Sequence, residues 1–355
     1  MSRMFVPGPV DVAADVLQAQ AQPMLPHRSK EFEAIYRRVS EKSQQLFFTN
    51  YRVFLTASSG TGLQEAAIRN FVQRSVLSCT NGAFADRWYE VAVSNGKQAE
   101  KLAFEWNQPV DPDRVAEAVK KGKHEAVTII HNETSTGLQN PVKEVAAAVR
   151  AVAPDTLIFV DAVSSLGGAR IEMDAWGIDM LLTSSQKCIA LPPGLALGAV
   201  SDRAMQKAAS VENRGWYFDL VRMEKHRLKD SSPATPAMSL IFALDFQLDR
   251  ILAEGLEKRF ARHSAMADRV QAWAEAHDQS IYAPQGYRSQ TVTTVKNERG
   301  FSIPDLNTFL KTRDMRLANG YGQLKDVTFR IAHMGETQLS DVDDLLAAME
   351  EFLIK

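Results

Sequence analysis

The stretch "TLIFVDAVSSLGG" (residues 156–168) decides the fold, because a strand-length apolar run ends there on Asp161 and a polar loop. The run is nearly continuous rather than alternating, which is typical of a strand buried on both faces of a parallel sheet. The same order of apolar run, polar loop and amphipathic helix recurs between about residue 50 and residue 205. This recurrence predicts an α/β fold with a mainly parallel sheet flanked by helices.

Five of the predicted strands end in small or polar residues. These ends are "TASSGTG" (56–62), "CTNGAF" (79–84), "HNETSTG" (131–137), "DAVSSLGG" (161–168) and "TSSQK" (183–187). In open α/β sheets, ligands bind beyond the carboxyl ends of the strands. We therefore expect the five loops to assemble one site.

The chain changes character beyond residue 235. Residues 235–277 predict one long helix, and shorter strands and helices follow it, as in a smaller α/β domain. We expect three parts: an N-terminal segment (1–20) that reaches the active site, a large cofactor-binding domain (21–240) and a small domain (241–355). The long helix begins the small domain and connects it to the large one.

Composition argues against several classes of partner. A formal net charge of −2 gives no electrostatic reason to expect nucleic acid or an anionic membrane. The apolar runs are too short for a membrane span, and the first residues lack the pattern of a secretory signal. Cys79 and Cys188 suggest neither a disulfide framework nor a zinc site. We expect a cytoplasmic protein without a metal ion.

The loop residues favour a phosphorylated ligand with a flat ring. Ser59, Gly60 and Thr61 precede a predicted helix, where backbone N–H groups bind anions, although a simple helix cap explains the same residues. Phe84 follows an Asn-Gly turn, where its ring either stacks on a ligand or packs in the core. A hydroxyl contact to the ring is expected for Thr134.

Asp161 and Lys187 then suggest an acid and an amine on one cofactor. A carboxylate that ends a buried strand needs a cation or donors, unless it caps the next turn. A desolvated lysine beside another cation has a lowered pKa and becomes a nucleophile. Pyridoxal 5′-phosphate offers an aldehyde to such a lysine and a ring nitrogen to such an acid. Ser165 is expected to reach the substrate, while His131 is either structural or functional.

The motifs from "VPGPVDV" (6–12) to "FRIAHMG" (329–335) carry a family resemblance. Together with "VDAVSSLGG" (160–168), "SSQKCIALPPG" (184–194) and "WYFDL" (216–220), they resemble the class V aminotransferases of pyridoxal-phosphate fold type I. The most similar branch is that of alanine–glyoxylate and serine–pyruvate or serine–glyoxylate aminotransferases. The resemblance implies a seven-stranded sheet, a homodimer with active sites at the subunit interface, and pyridoxal phosphate bound to Lys187 as a Schiff base.

The resemblance also implies roles for single residues. It assigns cofactor contacts to Ser59, Gly60, Thr61, Phe84, Asp161, Gln186 and Lys187. Arg330 matches the arginine that binds the substrate α-carboxylate, a task suited to a bidentate guanidinium, and Pro9 is placed near the substrate. Thr235 matches a contact to the phosphate of the neighbouring subunit. Ser231 stands where some relatives have tyrosine, a departure that bears on this contact.

The predicted reaction moves an amino group from alanine or serine to glyoxylate or pyruvate by a ping-pong mechanism. Phosphoserine or 2-aminoethylphosphonate transamination remains an alternative, since Arg28, Arg288 or Arg316 offers a second anion site or merely surface charge. A lyase of the desulfurase type is less favoured, because residues 189–355 contain no cysteine. A catalytically silent α/β protein that binds a phosphorylated ligand or a partner is a further alternative, against which Asp161, Lys187 and Arg330 together argue.

Overall fold

The structure is a computed structural model that describes residues 3–354. Its strands are β1 (Arg3–Phe5), β2 (Arg52–Thr56), β3 (Ser75–Thr80), β4 (Gln98–Ala103), β5 (Ala126–Ile130), β6 (Asn132–Glu133), β7 (Leu138–Gln139), β8 (Leu157–Asp161), β9 (Met180–Ser184), β10 (Ala196–Val200), β11 (Val292–Lys296), β12 (Met315–Asn319) and β13 (Thr328–Ala332). Its α-helices are α1 (Ala14–Ala19), α2 (Lys30–Phe47), α3 (Gly60–Phe71), α4 (Ala83–Ser94), α5 (Pro112–Gly122), α6 (Val142–Val152), α7 (Asp202–Ala208), α8 (Leu220–Arg227), α9 (Met238–Glu254), α10 (Leu256–Ala276), α11 (Ile303–Lys311) and α12 (Leu339–Ile354).

A seven-stranded sheet occupies the larger part of the molecule, in the order β2-β10-β9-β8-β5-β3-β4. The strands from β9 to β4 are parallel neighbours, whereas β10 is antiparallel to both β9 and β2. The predicted mainly parallel sheet is therefore confirmed. Because β2 runs in the same direction as β9, its carboxyl end lies at the same edge as those of β3, β5, β8 and β9.

Strand β8 shows why this sheet is covered on both faces. Ile158 and Val160 belong to one hydrophobic core, while Leu157 and Phe159 belong to the other, and all four side chains are buried. Helices α2, α5, α6 and α9 contribute to the first core, and α3, α4, α7 and α8 contribute to the second. Each such buried side chain stabilises the fold by about 1.5–3 kcal/mol.

A four-stranded sheet forms the smaller part, in the order β1-β12-β13-β11. Its core includes residues of α10, α11 and α12. Strand β1 pairs with β12 in parallel, with Arg3 opposite Met315, so the start of the chain belongs to this sheet. The sequence patterns predicted neither β1 nor β12. Both are short, and one face of β12 is exposed at Arg316.

The single long helix predicted for residues 235–277 is wrong. The chain forms two helices, α9 and α10, which are separated at Gly255 with a φ of +85° that favours glycine. The expected domain boundary at residue 240 falls inside α9, and Phe242 and Leu248 of α9 pack in the first core of the large sheet. The division into domains stays a prediction. Within residues 3–354, the helices lack the length and apolar character that a membrane span requires.

Candidate active site

The site lies where the parallel strands of the large sheet end. Asp161 is the last residue of β8, and β8 pairs in parallel with β9, placing Asp161 opposite Leu182. Lys187 follows three residues after the end of β9. The acid and the amine therefore come from adjacent strand ends, and their charges interact.

Asp161 is a buried carboxylate that lacks a charged hydrogen-bonding partner among residues 3–354. One oxygen accepts a 2.6 Å hydrogen bond from Gln64 Nε2, and the other accepts a 2.8 Å bond from the Val163 backbone N–H. Burial raises the pKa of Asp161 from 3.8 to about 6, and these hydrogen bonds oppose that rise. A cationic ring nitrogen would favour its ionised form.

Lys187 is held beside the N-terminal segment. Its Nζ donates to the Pro7 carbonyl. At Gly8 the backbone has a φ of +98°, and a Cβ there would lie 2.6 Å from Lys187 Cδ, so a glycine allows this approach. Burial, together with the positive charge of Arg330, lowers the pKa of Lys187 to about 8. Such an amine is partly unprotonated at neutral pH and therefore nucleophilic.

The N-terminus of α3 is open for an anion. Ser59 is the cap residue, yet its side chain makes no hydrogen bond to the first turn of the helix. Gly60 is buried, and a Cβ there would lie 2.4 Å from Val163 Cγ2, so the helix start packs directly on the loop after Asp161. Thr61 is half-buried on the first turn. Helix N-termini of this kind bind phosphate groups.

Tyr321 lies between Arg330 and Phe84, the aromatic residue in the first turn of α4. Phe84 stacks on Tyr321 with ring centroids 5.3 Å apart, and the Arg330 guanidinium lies 5.5 Å from the Tyr321 centroid. Arg330 donates to the backbone carbonyls of Asn319 at 3.0 Å and Thr134 at 3.2 Å. Burial lowers the pKa of Arg330 to about 10, so the group remains a cation at neutral pH.

The residues that follow β5 hold neighbouring parts of the site in place through hydrogen bonds. Glu133 is fully buried and accepts hydrogen bonds from the backbone N–H groups of Phe84 and Ala85, which caps α4 with a carboxylate. Burial nevertheless raises the pKa of Glu133. Ser165 is buried with its Oγ 2.8 Å from His131 Nδ1, and burial lowers the pKa of this histidine to about 4. His131 is therefore neutral, and the role expected of Ser165 toward substrate stays a prediction.

Several polar atoms at this edge are buried without a hydrogen-bond partner among residues 3–354. They are both amide atoms of Asn132, Ser184 Oγ and Gln186 Oε1. Buried polar atoms in native proteins are almost always satisfied by protein, water or ligand. Together with Asp161, which has no charged hydrogen-bonding partner among residues 3–354, and with the open α3 terminus, these atoms fit a phosphorylated heteroaromatic cofactor. Thr134 Oγ1 is already 2.6 Å from Ser164 Oγ.

Two predicted residues lie at the margin of this place, and their roles stay predictions. Pro9 is exposed and directly follows Gly8, whose backbone approaches Lys187. Thr235 is exposed beside Thr56 and Ala57 at the end of β2. The Ser231 Oγ accepts a 3.4 Å hydrogen bond from Arg28.

The other arginines considered for a second anion site lie elsewhere. Arg288 pairs with Glu275 at 2.9 Å, and Arg316 is exposed on β12. Their placement therefore favours a structural ion pair for Arg288 and surface charge for Arg316.

Sequence patterns also missed some residues of the site. Gln64 lies one turn into α3, on the face toward β8, and helical spacing from Gly60 is the signal that points to it. Tyr321 was missed because it lies in a loop of the small sheet, distant in sequence from Phe84. Arg87 was missed because its contact with Tyr321 depends on the same long-range approach. The Pro7 carbonyl was missed because backbone atoms leave no sequence pattern.

Comparison with known proteins agrees with this geometry. Residues 13–330 match the family described as Aminotransferase class-V. An L-aspartate–glyoxylate aminotransferase of Paracoccus denitrificans is 34% identical over 341 residues, which cover 94% of this chain and 86% of that protein. A serine–glyoxylate aminotransferase of Methylorubrum extorquens is 30% identical over 366 residues, covering 99% and 91% of the two chains.

A solved structure extends the comparison to three dimensions. An alanine–glyoxylate aminotransferase from Nostoc sp. matches with a TM-score of 0.93 and 28% identity, covering 99% of this chain and 96% of that one. Family match and fold thus agree over nearly the whole length. The chain belongs to the class V aminotransferases, and it is a transaminase whose cofactor is pyridoxal 5′-phosphate.

Proposed function

We propose that this transaminase transfers the amino group of a small amino acid, alanine or serine, to glyoxylate or pyruvate by a ping-pong mechanism. The observation that carries the proposal is the buried amine of Lys187 next to the strand end that holds Asp161. The relatives described above use glyoxylate as acceptor, with serine, alanine or aspartate as donor. Their names support glyoxylate more directly than any single donor.

The residues around Lys187 would hold the cofactor at three points. Ser59, Gly60 and Thr61 would bind its phosphate at the N-terminus of α3. Gln186, whose Oε1 has no hydrogen-bond partner in the described part of the chain, and Thr134 would contact the ring. When bound, pyridoxal phosphate supplies an aldehyde and an electron-accepting ring. Phe84 would cover one face of that ring.

Lys187 and Asp161 would perform the proton chemistry. An amine with a pKa of about 8 can take a proton from the substrate α-carbon and return it, which is general base and then general acid catalysis. Asp161, ionised at neutral pH, would keep a proton on the ring nitrogen. Gln64 and the Val163 N–H fix the orientation of this carboxylate.

Arg330 would bind the α-carboxylate shared by donor and acceptor. Its contacts to the carbonyls of Asn319 and Thr134 fix the guanidinium plane, so little side-chain entropy is lost when substrate binds. This arrangement accepts any short α-amino acid. It does not by itself select the donor.

The proposal includes a cytoplasmic homodimer. Trp216, Tyr217 and Leu228 are large apolar side chains exposed near the segment that contains Ser231 and Thr235, and such exposure is typical of an interface. Thr235 would then face the phosphate site of the partner subunit. The cytoplasmic location is supported by Cys79 and Cys188, which are both unpaired.

The proposal is tested by measuring amino transfer from a panel of donors to glyoxylate, pyruvate and 2-oxoglutarate. Glyoxylate or pyruvate with alanine or serine should give the highest kcat/KM. Lys187→Ala should abolish turnover, while the control Lys143→Ala, at an exposed position on α6, should not change it. Exclusive use of 2-oxoglutarate, or parental turnover by the Lys187 variant, would contradict the proposal.

A further inference from the structure

The guanidinium of Arg87 is a second cation at the mouth of the site. Arg87 lies one turn after Phe84 on α4, with its guanidinium carbon 4.8 Å from the Phe84 ring centroid. Its Nη2 lies 3.4 Å from the Tyr321 hydroxyl. Its charge also acts on Lys187, so it lies within electrostatic reach of the reacting amine.

Arg87 has no carboxylate partner among residues 3–354, although acidic groups lie near it in the chain. The adjacent Asp86 pairs with Lys101 at 2.7 Å. Glu133, which lies on β6 and contacts the first turn of α4, accepts hydrogen bonds from backbone N–H groups of that helix. A half-buried arginine stacked on an aromatic ring keeps its charge and its hydrogen-bond donors available for an anion.

Arg87 and Arg330 are arranged around one tyrosine side chain. Arg330 lies over the Tyr321 ring, whereas Arg87 meets the hydroxyl at the far end of that ring. Both guanidinium groups therefore border the same tyrosine side chain. Two cations in this arrangement can bind an amino acid with a carboxylate at each end, since each carboxylate can pair with one guanidinium.

We propose that Arg87 forms a second anion subsite, which binds the side-chain carboxylate of a four-carbon dicarboxylic amino donor while Arg330 binds its α-carboxylate. The inference rests on the proposed function for the role of Arg330, and it extends the donors from neutral to acidic amino acids. The Tyr321 hydroxyl is the present neighbour of Arg87 at 3.4 Å, a long contact that a carboxylate can replace. Tyr321 would then close the subsite from the small sheet.

The test measures binding to the cofactor-loaded protein by calorimetry, with succinate as a dicarboxylate probe and propionate as a monocarboxylate probe. Arg87→Gln should weaken succinate about 10- to 100-fold, as expected for losing hydrogen bonds to a charged group, and leave propionate unchanged. Arg87→Lys should retain part of the affinity. The control is Arg114→Gln on α5, which removes a guanidinium whose carbon lies 4.3 Å from the Phe104 ring centroid. It should change the affinity for neither succinate nor propionate.

Turnover separates this inference from the proposed function. Arg87→Gln should lower kcat/KM for aspartate about 10- to 100-fold more than it lowers kcat/KM for alanine, matching the factor by which it weakens succinate. Equal losses for both probes, or no loss for succinate, would overturn the subsite even if alanine is still converted. Loss of succinate affinity in a protein that converts no donor would instead contradict the proposed function and support the subsite.

Discussion

Replacing Asp161 with asparagine should have opposite effects with and without cofactor. In the cofactor-free chain, the pKa of Asp161 rises from 3.8 to about 6 because the carboxylate is buried. Since one pKa unit corresponds to about 1.4 kcal/mol, ionised Asp161 costs the folded state about 3 kcal/mol at neutral pH. Asp161→Asn should therefore increase the free energy of unfolding by up to about 3 kcal/mol at pH 7.

The pH dependence follows from the sign of this shift. Between about pH 4 and pH 6 the folded state binds more protons at Asp161 than the unfolded state does, so stability falls as the pH rises through this window. The asparagine variant lacks this fall and should match the parent protein below pH 4. Its amide oxygen can still accept from the Val163 N–H. Its NH₂ can donate to Gln64 Oε1, which has no hydrogen-bond partner within residues 3–354.

With cofactor bound, the parent protein should have a higher free energy of unfolding than the Asp161→Asn variant. The parental carboxylate gains a cationic ring nitrogen, whereas asparagine gains no charge interaction, so the cofactor should stabilise the variant less. Urea unfolding, followed at several pH values with and without cofactor, measures both effects. The control Asp179→Asn removes a buried carboxylate already paired with Arg150 at 2.5 Å and Arg203 at 2.8 Å, and it should destabilise both forms. A lower free energy of unfolding for cofactor-free Asp161→Asn than for the parent at pH 7 would refute the reasoning.

Three further predictions concern the amine and the anion site. The rate at which the cofactor-free chain captures cofactor should rise about tenfold per pH unit up to about pH 8 and then level off, as Lys187 loses its proton. Arg330→Gln should move this midpoint upward, because it removes a nearby positive charge; an unchanged midpoint would contradict that cause. Gly60→Ala should cost about 1–3 kcal/mol of stability and weaken cofactor binding, because its Cβ would meet Val163 Cγ2 at 2.4 Å. Equal cofactor affinity in parent and variant, measured by titration, would show that the α3 start does not bind phosphate.

The large sheet was predictable because its signal is local. Strands such as β8 read as continuous apolar runs, and each polar loop marks a strand end. The break at Gly255 was harder to predict, because the residues on both sides have helical spacing and tertiary packing decides whether the chain turns there. Strand β1 has three residues and exists through its pairing with β12, more than 300 positions away.

The site was predictable where chemistry demands a residue type. A lysine and an acid at adjacent strand ends have few structural uses, so Lys187 and Asp161 could be proposed as site residues from their neighbours. The contacts of Tyr321 with Phe84 and Arg87 could not, because they join the two sheets across a long sequence separation. The same limit applies to Arg28, whose contact with Ser231 spans about half the chain.

The central claim is that Lys187 is the covalent anchor of pyridoxal phosphate. It is tested by reducing the cofactor-loaded protein with borohydride, digesting it and locating the modified lysine by mass spectrometry. One pyridoxyl group per chain is expected, on the peptide that contains Lys187. Stoichiometric modification of a different lysine, or no modification of a protein that binds the cofactor, would contradict it.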